Sequence, residues 1–514
     1  MTAREYHDRT AHSPASVRTS GHTLEWDIKP FPFKVYTDLA AQALPRELDP
    51  VATDTLAALA GPAPAATALG LSELVAVLYY AAGVTKKKTY PGGGEVLFRA
   101  AASTGALYQT EVYVVVGDVA GLEPGLYHFC PGDFALRRLR AGDVRAALAA
   151  SAADDSIHRR PATLILTAIY WRNAWKYQAR AYRHLFWDSG TMLANVLAVG
   201  DALGLAPRLL TGFVDAEVNR LLGLDETHEV SLELVTLGPD GTPTPAGAPL
   251  DAIQHAAMPL SSSEVDYPLI RQMHAASQLD TAAAVRDWRS REWSSATPPP
   301  SANATLVPLP PPRARAGRGL GETIQRRGST RQFGYAALTA EELGTAVWAA
   351  TRHVDADVPD GFVDLYLIVN AVDGVPSGSY FYRPDTHTLE TLARGDFRNR
   401  SAYLCLEQPL GGDAATVIYW LAPLGAITRA FGDRGYRLAN LHAGLAGGRA
   451  YLAAYAQGFG ASGLTFYDEH VVEFFSPHAA GKDAIFVTAL GRSGVGGRVT
   501  IDSSTLLTRR RPSG

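Results

Sequence analysis

The chain has 514 residues, which at about 150 residues per domain predicts two to four domains and excludes a single small module. Its 47 basic and 51 acidic side chains give a net charge of −4, so it lacks the basic surplus of a nucleic-acid-binding protein. Two cysteines exclude a disulfide framework, and the lack of a signal-peptide-like amino terminus or a run of about 18 apolar residues predicts a soluble, cytoplasmic protein without membrane contact.

An internal duplication organises the chain. Residues 112–129 (VYVVVGDVAGLEPGLYHF) align with residues 365–382 (LYLIVNAVDGVPSGSYFY), and each stretch reads as a strand, a Gly/Pro turn and a second strand. Gly121 and Gly125 match Gly374 and Gly378, each 253 positions later. The predicted organisation is a leader segment at 1–64, a first repeat at 65–240, a helical segment with a Pro-rich linker at 241–320, a second repeat at 321–500 and a C-terminal tail at 501–514.

Strands and long helices occur together in each repeat. We predict amphipathic helices at 182–204 and 436–458, and buried terminal strands at 231–238 and 484–491. Between the repeats, residues 262–294 read as a pair of helices on the surface or in the interface, followed by extended Pro-rich chain. Because strands and helices do not alternate steadily, the predicted fold class is α+β, with two tandem domains.

A Ser-Thr-Gly turn precedes the hairpin of the first repeat, within the stretch RAAASTGALY at 99–108. The hydroxyls of Ser103 and Thr104 and the unhindered backbone of Gly105 would suit a planar ligand with polar edges. An ordinary glycine turn is the alternative.

A lysine and a tyrosine, Lys176 and Tyr177, are adjacent at the entry to the long helix of the first repeat. An ammonium beside a phenol favours the phenolate and lowers the pKa of the phenol, so the two can work as acid and base. The alternative is a surface pair at a helix start, and the residues by themselves favour neither.

A cluster of arginines, RRGSTRQF at 326–333, precedes a predicted helix in the second repeat. Guanidinium and hydroxyl groups can bind a phosphate through charge-assisted hydrogen bonds. The alternative is a solvated basic loop. The candidate ligands are Arg326, Arg327, Ser329 and Arg331.

Together these motifs resemble the SagB/ThcOx branch of the nitroreductase superfamily, flavin-dependent dehydrogenases that include azoline oxidases of peptide natural-product pathways. Residues 102–113 are similar to its P-S-A-G-A-L-Y-P-x-E-x-Y segment, with Ala102 and Gln109 in place of the prolines. The arginine cluster resembles R-R-S-x-R-x-F with one insertion, and 175–184 resembles the Lys-Tyr element of azoline oxidases. The leader at 5–36 is similar to the leader of the long, duplicated members of this branch, and TGFVDAEVNRLLGL at 211–224 is similar to their G-x-F-D-D-x-x-V-N segment.

The resemblance implies an FMN at a dimer interface, to which two folds contribute different parts. One fold supplies the phosphate-binding arginines, the loop Gly463-Leu464-Thr465 and a C-terminal arginine, Arg492. The other supplies the turn, here including Leu107. Lys176 and Tyr177 would transfer protons to and from the substrate.

The two repeats keep complementary halves of this site. The second repeat keeps the arginine cluster, whereas the first has AALAGPAP at 57–64 in the corresponding place. The first repeat keeps the turn and the Lys-Tyr pair, whereas the second has ADVPDG at 356–361 and Ala430-Phe431. We therefore expect one complete flavin site across an intramolecular pseudo-dimer, and one vestigial site without flavin.

The sequence-based hypothesis is an FMN-dependent oxidoreductase that dehydrogenates an azoline-like ring, or a related C–H/N–H bond, in a peptide or amino-acid-derived substrate. Partners from a biosynthetic pathway would fit this activity. An NAD(P)H-dependent reductase of nitroaromatics or quinones and a catalytically silent peptide-binding scaffold remain alternatives. The histidines show no ligand spacing, so no metal site is expected.

Overall fold

A computed structural model describes residues 1–61, 67–89, 95–244, 250–294, 299–300 and 304–494. The tail predicted at 501–514 and part of the Pro-rich linker lie outside these residues. Within them, no helix is both long and apolar enough to cross a membrane.

The first half of the chain forms the following helices and strands: α1 (Ala3–Arg9), α2 (Pro14–Thr19), β1 (Ala41–Ala43), α3 (Thr55–Ala60), α4 (Leu71–Ala82), β2 (Val84–Thr89), β3 (Glu95–Arg99), β4 (Thr110–Val116), β5 (Gly125–Cys130), β6 (Ala135–Ala141), α5 (Arg145–Ala152), β7 (Ala162–Ile169), α6 (Tyr170–Tyr177), α7 (Ala181–Ala202), β8 (Arg208–Leu210), α8 (Asp215–Leu222) and β9 (Glu229–Leu237). Short 3₁₀ turns occupy Trp26–Ile28, Thr104–Ala106 and Gln178–Arg180.

The second half forms α9 (Pro268–Ala276), α10 (Ala282–Arg289), β10 (Leu306–Pro308), α11 (Leu320–Arg326), β11 (Leu338–Thr339), α12 (Ala340–Ala350), β12 (Asp364–Val369), β13 (Val372–Asp373), β14 (Gly378–Arg383), β15 (Thr388–Arg394), α13 (Arg398–Leu404), α14 (Pro409–Asp413), β16 (Thr416–Ala422), α15 (Leu424–Phe431), α16 (Gly435–Ala456), β17 (Gly460–Gly463), α17 (Asp468–Phe475) and β18 (Asp483–Gly491). A 3₁₀ turn occupies Gly432–Arg434.

Two seven-stranded antiparallel sheets repeat the same strand order. The first sheet runs β1-β6-β5-β4-β7-β9-β8 and the second runs β10-β15-β14-β12-β16-β18-β17. The predicted hairpins are confirmed, since β4 pairs with β5 and β12 pairs with β14. The strands β4, β7, β9 and β16 are buried along their whole length, which explains their continuous apolar sequences. The α+β fold with two tandem domains is therefore confirmed.

The two long helices α7 and α16 cross at the centre of the molecule and join the two halves. A side chain at Gly190 would meet the carbonyl oxygen of Leu441 at 2.5 Å, and one at Gly444 would meet the backbone of Trp187. The absence of side chains here lets the two backbones touch. The prediction that both helices are amphipathic was wrong, because nearly every residue of each is buried between the two sheets.

Two buried ion clusters lie on either side of this crossing. Arg180, at the end of the 3₁₀ turn before α7, and Arg183 of α7 bind Asp468 at 3.0 and 2.5 Å. In the mirrored arrangement, Arg434 and Arg437 bind Asp215 at 2.6 and 2.7 Å. Each cluster joins arginines of one half to a carboxylate of the other, so the halves form an intramolecular pseudo-dimer.

The structural equivalence extends beyond the two aligned segments. Helix α1 offers the carbonyl of His7 and the hydroxyl of Thr10 to Arg183. Helix α9 offers the same groups of His274 and Ser277, each 267 positions later, to Arg437. The hairpin β2–β3 breaks the symmetry, because a short connection at 351–363 takes its place in the second half.

Candidate active site

The Ser-Thr-Gly turn is held in place by one buried carboxylate, Asp188 of α7. Its oxygens accept hydrogen bonds from the hydroxyl of Ser103 at 2.6 Å, from the amide and hydroxyl of Thr104, and from the side chain of Gln109 at 2.7 Å. Burial raises the pKa of Asp188 to about 6, although these donors oppose the shift. Sequence reasoning missed Asp188, which lies in the middle of a long helix without any motif.

The backbone of the turn is strained. Gly105, Ala106 and Tyr108 have φ values of 66°, 55° and 53°, in the left-handed region that non-glycine residues seldom adopt. Such strain concentrates at functional sites, where the surrounding contacts hold it. Here the Asp188 hydrogen bonds and the hydrogen bond from Arg172 to the carbonyl of Tyr108 hold it.

Tyr177 lies directly against this turn at the end of α6. A side chain at Gly105 would meet the Tyr177 hydroxyl at 3.0 Å, and the Tyr177 ring packs edge-on against His184 with centroids 4.5 Å apart. Lys176 places its Nζ 5.3 Å from the centroid of the Tyr177 ring. The structure thus brings the turn and the Lys-Tyr pair of the first repeat together.

The expectation that Lys176 lowers the pKa of Tyr177 was wrong. Burial, with a smaller contribution from the charge of Asp188, raises the pKa of Tyr177 above its ordinary value. The Lys176 ammonium lies over the ring face, where it does not favour a phenolate. The pKa of Lys176 itself is lowered by burial and by the positive charges of Arg331 and Lys29.

Arg331 reaches this place from the second repeat. Its charge acts on both Lys176 and Tyr177, and its guanidinium has no hydrogen-bond or ion-pair partner in the described part of the chain. Ser329 lies nearby, with its hydroxyl 3.4 Å from the Tyr451 hydroxyl of α16. The amide of Thr330 donates to the carbonyl of Ala461 at 2.8 Å and anchors the loop to β17.

The other three candidate arginines have protein partners. Arg327 donates to the carbonyls of Arg99 and Ala100 at 2.9 and 3.0 Å, so it fastens the second repeat to the first. The guanidinium of Arg326 is exposed and pairs with Glu322 at 2.8 Å. Arg492 binds both carboxylate oxygens of Glu342, which also closes the N-terminal cap of α12.

Lys86, which sequence reasoning missed, lies beside the arginine cluster. It stands on β2 of the first repeat and donates to the carbonyls of Arg326 and Arg327 at 2.8 and 2.6 Å. Burial and the charge of Arg327 lower the pKa of Lys86 to about 8. Together with Ser329, Tyr451 and Tyr455 it gives this corner ammonium and hydroxyl donors. The run of three lysines at 86–88 was the available signal.

The segment Gly463-Leu464-Thr465 closes the site from the side of β17. Gly463 is exposed, its amide donates to the Tyr451 hydroxyl, and a side chain there would lie 3.3 Å from Phe486. The amide of Leu464 donates to the carbonyl of Val487, and the hydroxyl of Thr465 accepts from Gln408 at 3.0 Å. The first composite site, as we call it, therefore joins the turn, Lys176 and Tyr177 to Ser329, Arg331 and the segment 463–465.

The leader segment covers one side of this site. Trp175 donates to the carbonyl of Glu25 at 2.8 Å, and Trp26 packs edge-on against Trp175 with centroids 5.4 Å apart. Arg172 donates to the carbonyl of Phe31 at 3.2 Å. The sequence gave no indication of what residues 5–36 contact.

The second composite site, made of the equivalent elements of the opposite repeats, is filled by the protein. The amides of Leu209 and Asp357 exchange hydrogen bonds with the carbonyls of Asp355 and Leu209 at 2.9 and 3.0 Å. The Asp357 carboxylate accepts from the amides of Thr211 and Gly212 at 2.8 and 2.9 Å and pairs with Arg289 at 2.8 Å. Leu209 and Thr211 lie 254 positions before Gly463 and Thr465, so the segment 355–357 covers the counterpart of that segment.

Aromatic side chains fill the rest of the second composite site. Phe431, the counterpart of Tyr177, packs against Phe362 and Trp288 with centroids 5.5 and 5.6 Å apart. Trp293 stacks on Phe362 at 5.4 Å. Cavities remain beside these side chains. One of about 300 Å³ lies at the position of the missing arginine cluster and is lined by residues that include Ala58, Leu59, Asp201 and Arg449. Another of about 230 Å³ is lined by residues that include Phe362, His442 and Arg449.

Comparison with known proteins identifies the class to which this architecture belongs. The sequence pattern of the Nitroreductase family matches residues 49–238 and 324–485, which is more than half of the chain. The protein belongs to the nitroreductase family, and it carries two copies of the family domain.

Individual relatives agree with this assignment. MJ1384 of Methanocaldococcus jannaschii, named as a nitroreductase, is 32% identical over 159 residues, which is 31% of this chain and 76% of that protein. The trifolitoxin-processing protein TfxB of Rhizobium leguminosarum bv. trifolii is 32% identical over 176 residues, 33% of this chain and 47% of TfxB. The microcin B17-processing protein McbC of Escherichia coli is 27% identical over 146 residues, 27% of this chain and 50% of McbC. The matches thus span about half the length of TfxB and of McbC.

One solved structure resembles nearly the whole molecule. The crystal structure of a protein from Anabaena variabilis, named as a nitroreductase, superimposes with a TM-score of 0.75 and 27% sequence identity. The similarity covers 96% of this chain and 99% of that chain. The duplicated architecture therefore occurs in at least one other protein.

Proposed function

We propose that this protein is an FMN-dependent oxidoreductase of the SagB/ThcOx type that dehydrogenates a ring in a peptide or amino-acid-derived substrate. One observation carries the proposal: Tyr177 lies against the turn of its own repeat, and the charge of the unpaired Arg331 reaches Lys176 and Tyr177 from the other repeat. In the second composite site, the corresponding positions pack against other protein side chains: Phe431 contacts Phe362, and Thr211 bonds to Asp357.

The residues of the first composite site fit a flavin mononucleotide. Lys86, Ser329 and Tyr455 offer ammonium and hydroxyl donors to a phosphate, and no carboxylate bonds to any of the three among the residues described. Gly105 and Gly463 leave bare backbone for a planar ring, and Arg331 brings an unpaired positive charge. Ser103, Thr104, Leu107, Leu464 and Thr465 would shape the same pocket, while Arg326, Arg327 and Arg492 would order its phosphate end.

Bound FMN would supply a two-electron acceptor for a hydride equivalent from the substrate, with molecular oxygen as the final oxidant. Lys176 is the candidate base for the proton that the substrate loses, because burial and the neighbouring cations lower its pKa and so ease the loss of its own proton. Tyr177, whose pKa is raised by burial, stays protonated at neutral pH and would hold the substrate through a hydrogen bond from its hydroxyl. The two residues therefore have different roles, which the sequence did not distinguish.

The substrate class is supported by two relatives. TfxB and McbC are named for the processing of trifolitoxin and microcin B17, and they match 33% and 27% of this chain at 32% and 27% identity. Oxidation of an azoline ring removes two electrons and two protons, one as hydride and one as the proton that Lys176 would take, and leaves an aromatic azole. The pathway partners of such an enzyme would be the proteins that form the azoline ring and present it.

Anaerobic stopped-flow absorbance with an azoline-containing peptide tests this function. The Lys176→Ala change should slow flavin reduction by about 10²–10⁴-fold, the usual contribution of a general base. The Tyr177→Phe change should slow it less, and neither should alter flavin content. Tyr335→Phe, which removes an exposed hydroxyl, is the matched control. Equal rates in Lys176→Ala and the wild type would remove the proposed base.

A second candidate function is the reduction of nitroaromatics or quinones with NAD(P)H, because MJ1384 and the Anabaena protein are both named as nitroreductases. Rapid bleaching of the flavin by NAD(P)H, equal in the wild type and in Lys176→Ala, would favour it. That result would favour nitroreduction only if the protein also failed to react with azoline peptides.

A further inference from the structure

The entrance to the first composite site gathers three cations from three separate segments. Lys29 belongs to the leader, Lys176 to α6 and Arg331 to the arginine cluster. The Lys29 Nζ lies 5.3 Å from the ring centroid of Trp26 and 5.9 Å from that of Trp175, the residue before Lys176. In the described part of the chain, none of the three cations has a carboxylate within ion-pair distance.

Bringing like charges together without counter-ions costs free energy, and this repulsion is visible in the pKa of Lys176. The charges of Arg331 and Lys29 both lower the pKa of Lys176. The acidic groups nearby face elsewhere: Asp188 is buried beneath the turn, and the charge of Glu25 acts on Tyr267. Asp27 is exposed on the leader and has no partner among the described residues. An anionic ligand at this entrance would relieve the repulsion between the cations.

An exposed indole adds an apolar face beside these cations. Trp26 is 65% exposed although it packs against Trp175, which is buried. Trp293, 267 positions after Trp26, instead stacks on Phe362 and fills the second composite site. The exposed aromatic face and the unpaired cations therefore occur together only at the first of the two sites, as far as the described residues go.

We propose that this entrance binds the carboxylate of an aromatic or heterocyclic substrate, with Lys29 as the specificity residue that the leader contributes and Trp26 as the platform for the ring. The proposal rests on the proposed function, because the carboxylate would belong to the peptide or amino-acid-derived substrate. Lys29 would act on substrate affinity and would take no part in proton transfer.

Isothermal titration calorimetry of the purified holoprotein with 4-nitrobenzoate and 4-nitrobenzamide tests the proposal. The two probes share their nitrophenyl ring and differ in charge. We expect the carboxylate to bind about tenfold more tightly at low salt, and 0.5 M NaCl to remove most of this preference through screening. Lys29→Met should reduce the preference about three- to fivefold and leave the flavin content unchanged.

Arg46→Gln is the matched control, since it removes an exposed cation that lies over Phe134, away from α6. It should leave the affinity of both probes unchanged. Equal binding of the two probes, no binding of either, or an undiminished preference in Lys29→Met would overturn the proposal. A colourless wild-type protein would contradict the FMN-dependent function instead, and calorimetry would still report anion binding.

Discussion

The first and second composite sites are built from equivalent helices and strands, yet the segments that correspond to the turn pack differently. At the first, the turn at 103–107 is hydrogen-bonded to Asp188 of α7. At the second, His442 replaces Asp188, and the segment 355–357 turns inward and bonds to β8. The difference teaches that equivalent segments of a pseudo-dimer can serve differently, one as a turn held by a helix and the other as a packing surface between the repeats.

The hairpin β2–β3 also distinguishes the two composite sites. It stands in the first repeat and carries Lys86 to the arginine cluster of the second repeat. The second repeat has a short connection in its place, so the arginine-free corner at 57–61 receives no such lysine. Each repeat has therefore kept or gained what serves the first composite site.

The largest expected difference between the two sites is flavin occupancy. The second site lacks two or three charge-assisted phosphate contacts of about 1.5–3 kcal/mol each, which corresponds to at least a hundredfold to thousandfold weaker binding. We expect one FMN per chain after gel filtration, measured by flavin extraction against protein concentration. Lys86→Ala with Arg331→Ala should strip that flavin without unfolding the protein. A reproducible ratio near two would contradict the composite-site argument.

The two buried ion clusters should respond alike, since they are the symmetric part of the molecule. Asp468→Asn and Asp215→Asn each leave two buried guanidiniums without their charge partner, and each should lower the free energy of unfolding by about 3–5 kcal/mol. Urea denaturation measures both, with the exposed Asp8→Asn as control. A large effect at only one cluster would show that the halves are not energetically equivalent.

The same clusters predict acid sensitivity. The neighbouring arginines hold the pKa of Asp215 down to about 2 and that of Asp468 lower still. Because these pKa values lie below those of the unfolded chain, their stabilisation is complete above about pH 4 and is lost as the pH falls towards 2.

Releasing the segment that fills the second site should have a smaller effect. Asp357→Ala removes hydrogen bonds to Thr211 and Gly212 and the partner of Arg289, at a cost of about 2 kcal/mol. Hydrogen exchange at 355–361 should accelerate, whereas one FMN per chain should remain because the arginine cluster is still missing. Asp355→Ala, a largely exposed neighbour, should change little. Unchanged exchange in Asp357→Ala would show that this carboxylate does not hold the segment.

A difference in pH dependence concerns Glu233 and its counterpart Phe486, which lies under Gly463 in the first site. Burial raises the pKa of Glu233 to about 8. The folded chain then keeps a proton that the unfolded chain releases, so stability should fall as the pH rises from about 5 to 8, by at most about 1.4 kcal/mol per pH unit. Denaturation curves of Glu233→Gln should lack this slope, and an identical slope would assign it to another group.

The sequence predicted the duplication, the hairpins and the complementary loss of motifs, because these depend on short stretches with fixed spacing. It did not predict that Arg327 and Arg492 bind protein groups, since their partners lie far away in the sequence. It assigned the wrong direction to the pKa of Tyr177, because burial in the folded chain outweighs the adjacent lysine. Asp188 has no local motif that points to its position, whereas the only sequence signal for Lys86 was the run of lysines at 86–88.

By itself, the sequence determined that two related α+β domains share one chain and that each keeps the half of a site that the other lacks. The tertiary structure alone decided how the halves combine. The helices α7 and α16 touch at Gly190 and Gly444, and in the folded chain the charge of Arg331 from the second repeat acts on Tyr177 of the first. It also decided that the second site is filled, because a short connection reaches β8 only once the two sheets are packed around the same pair of helices.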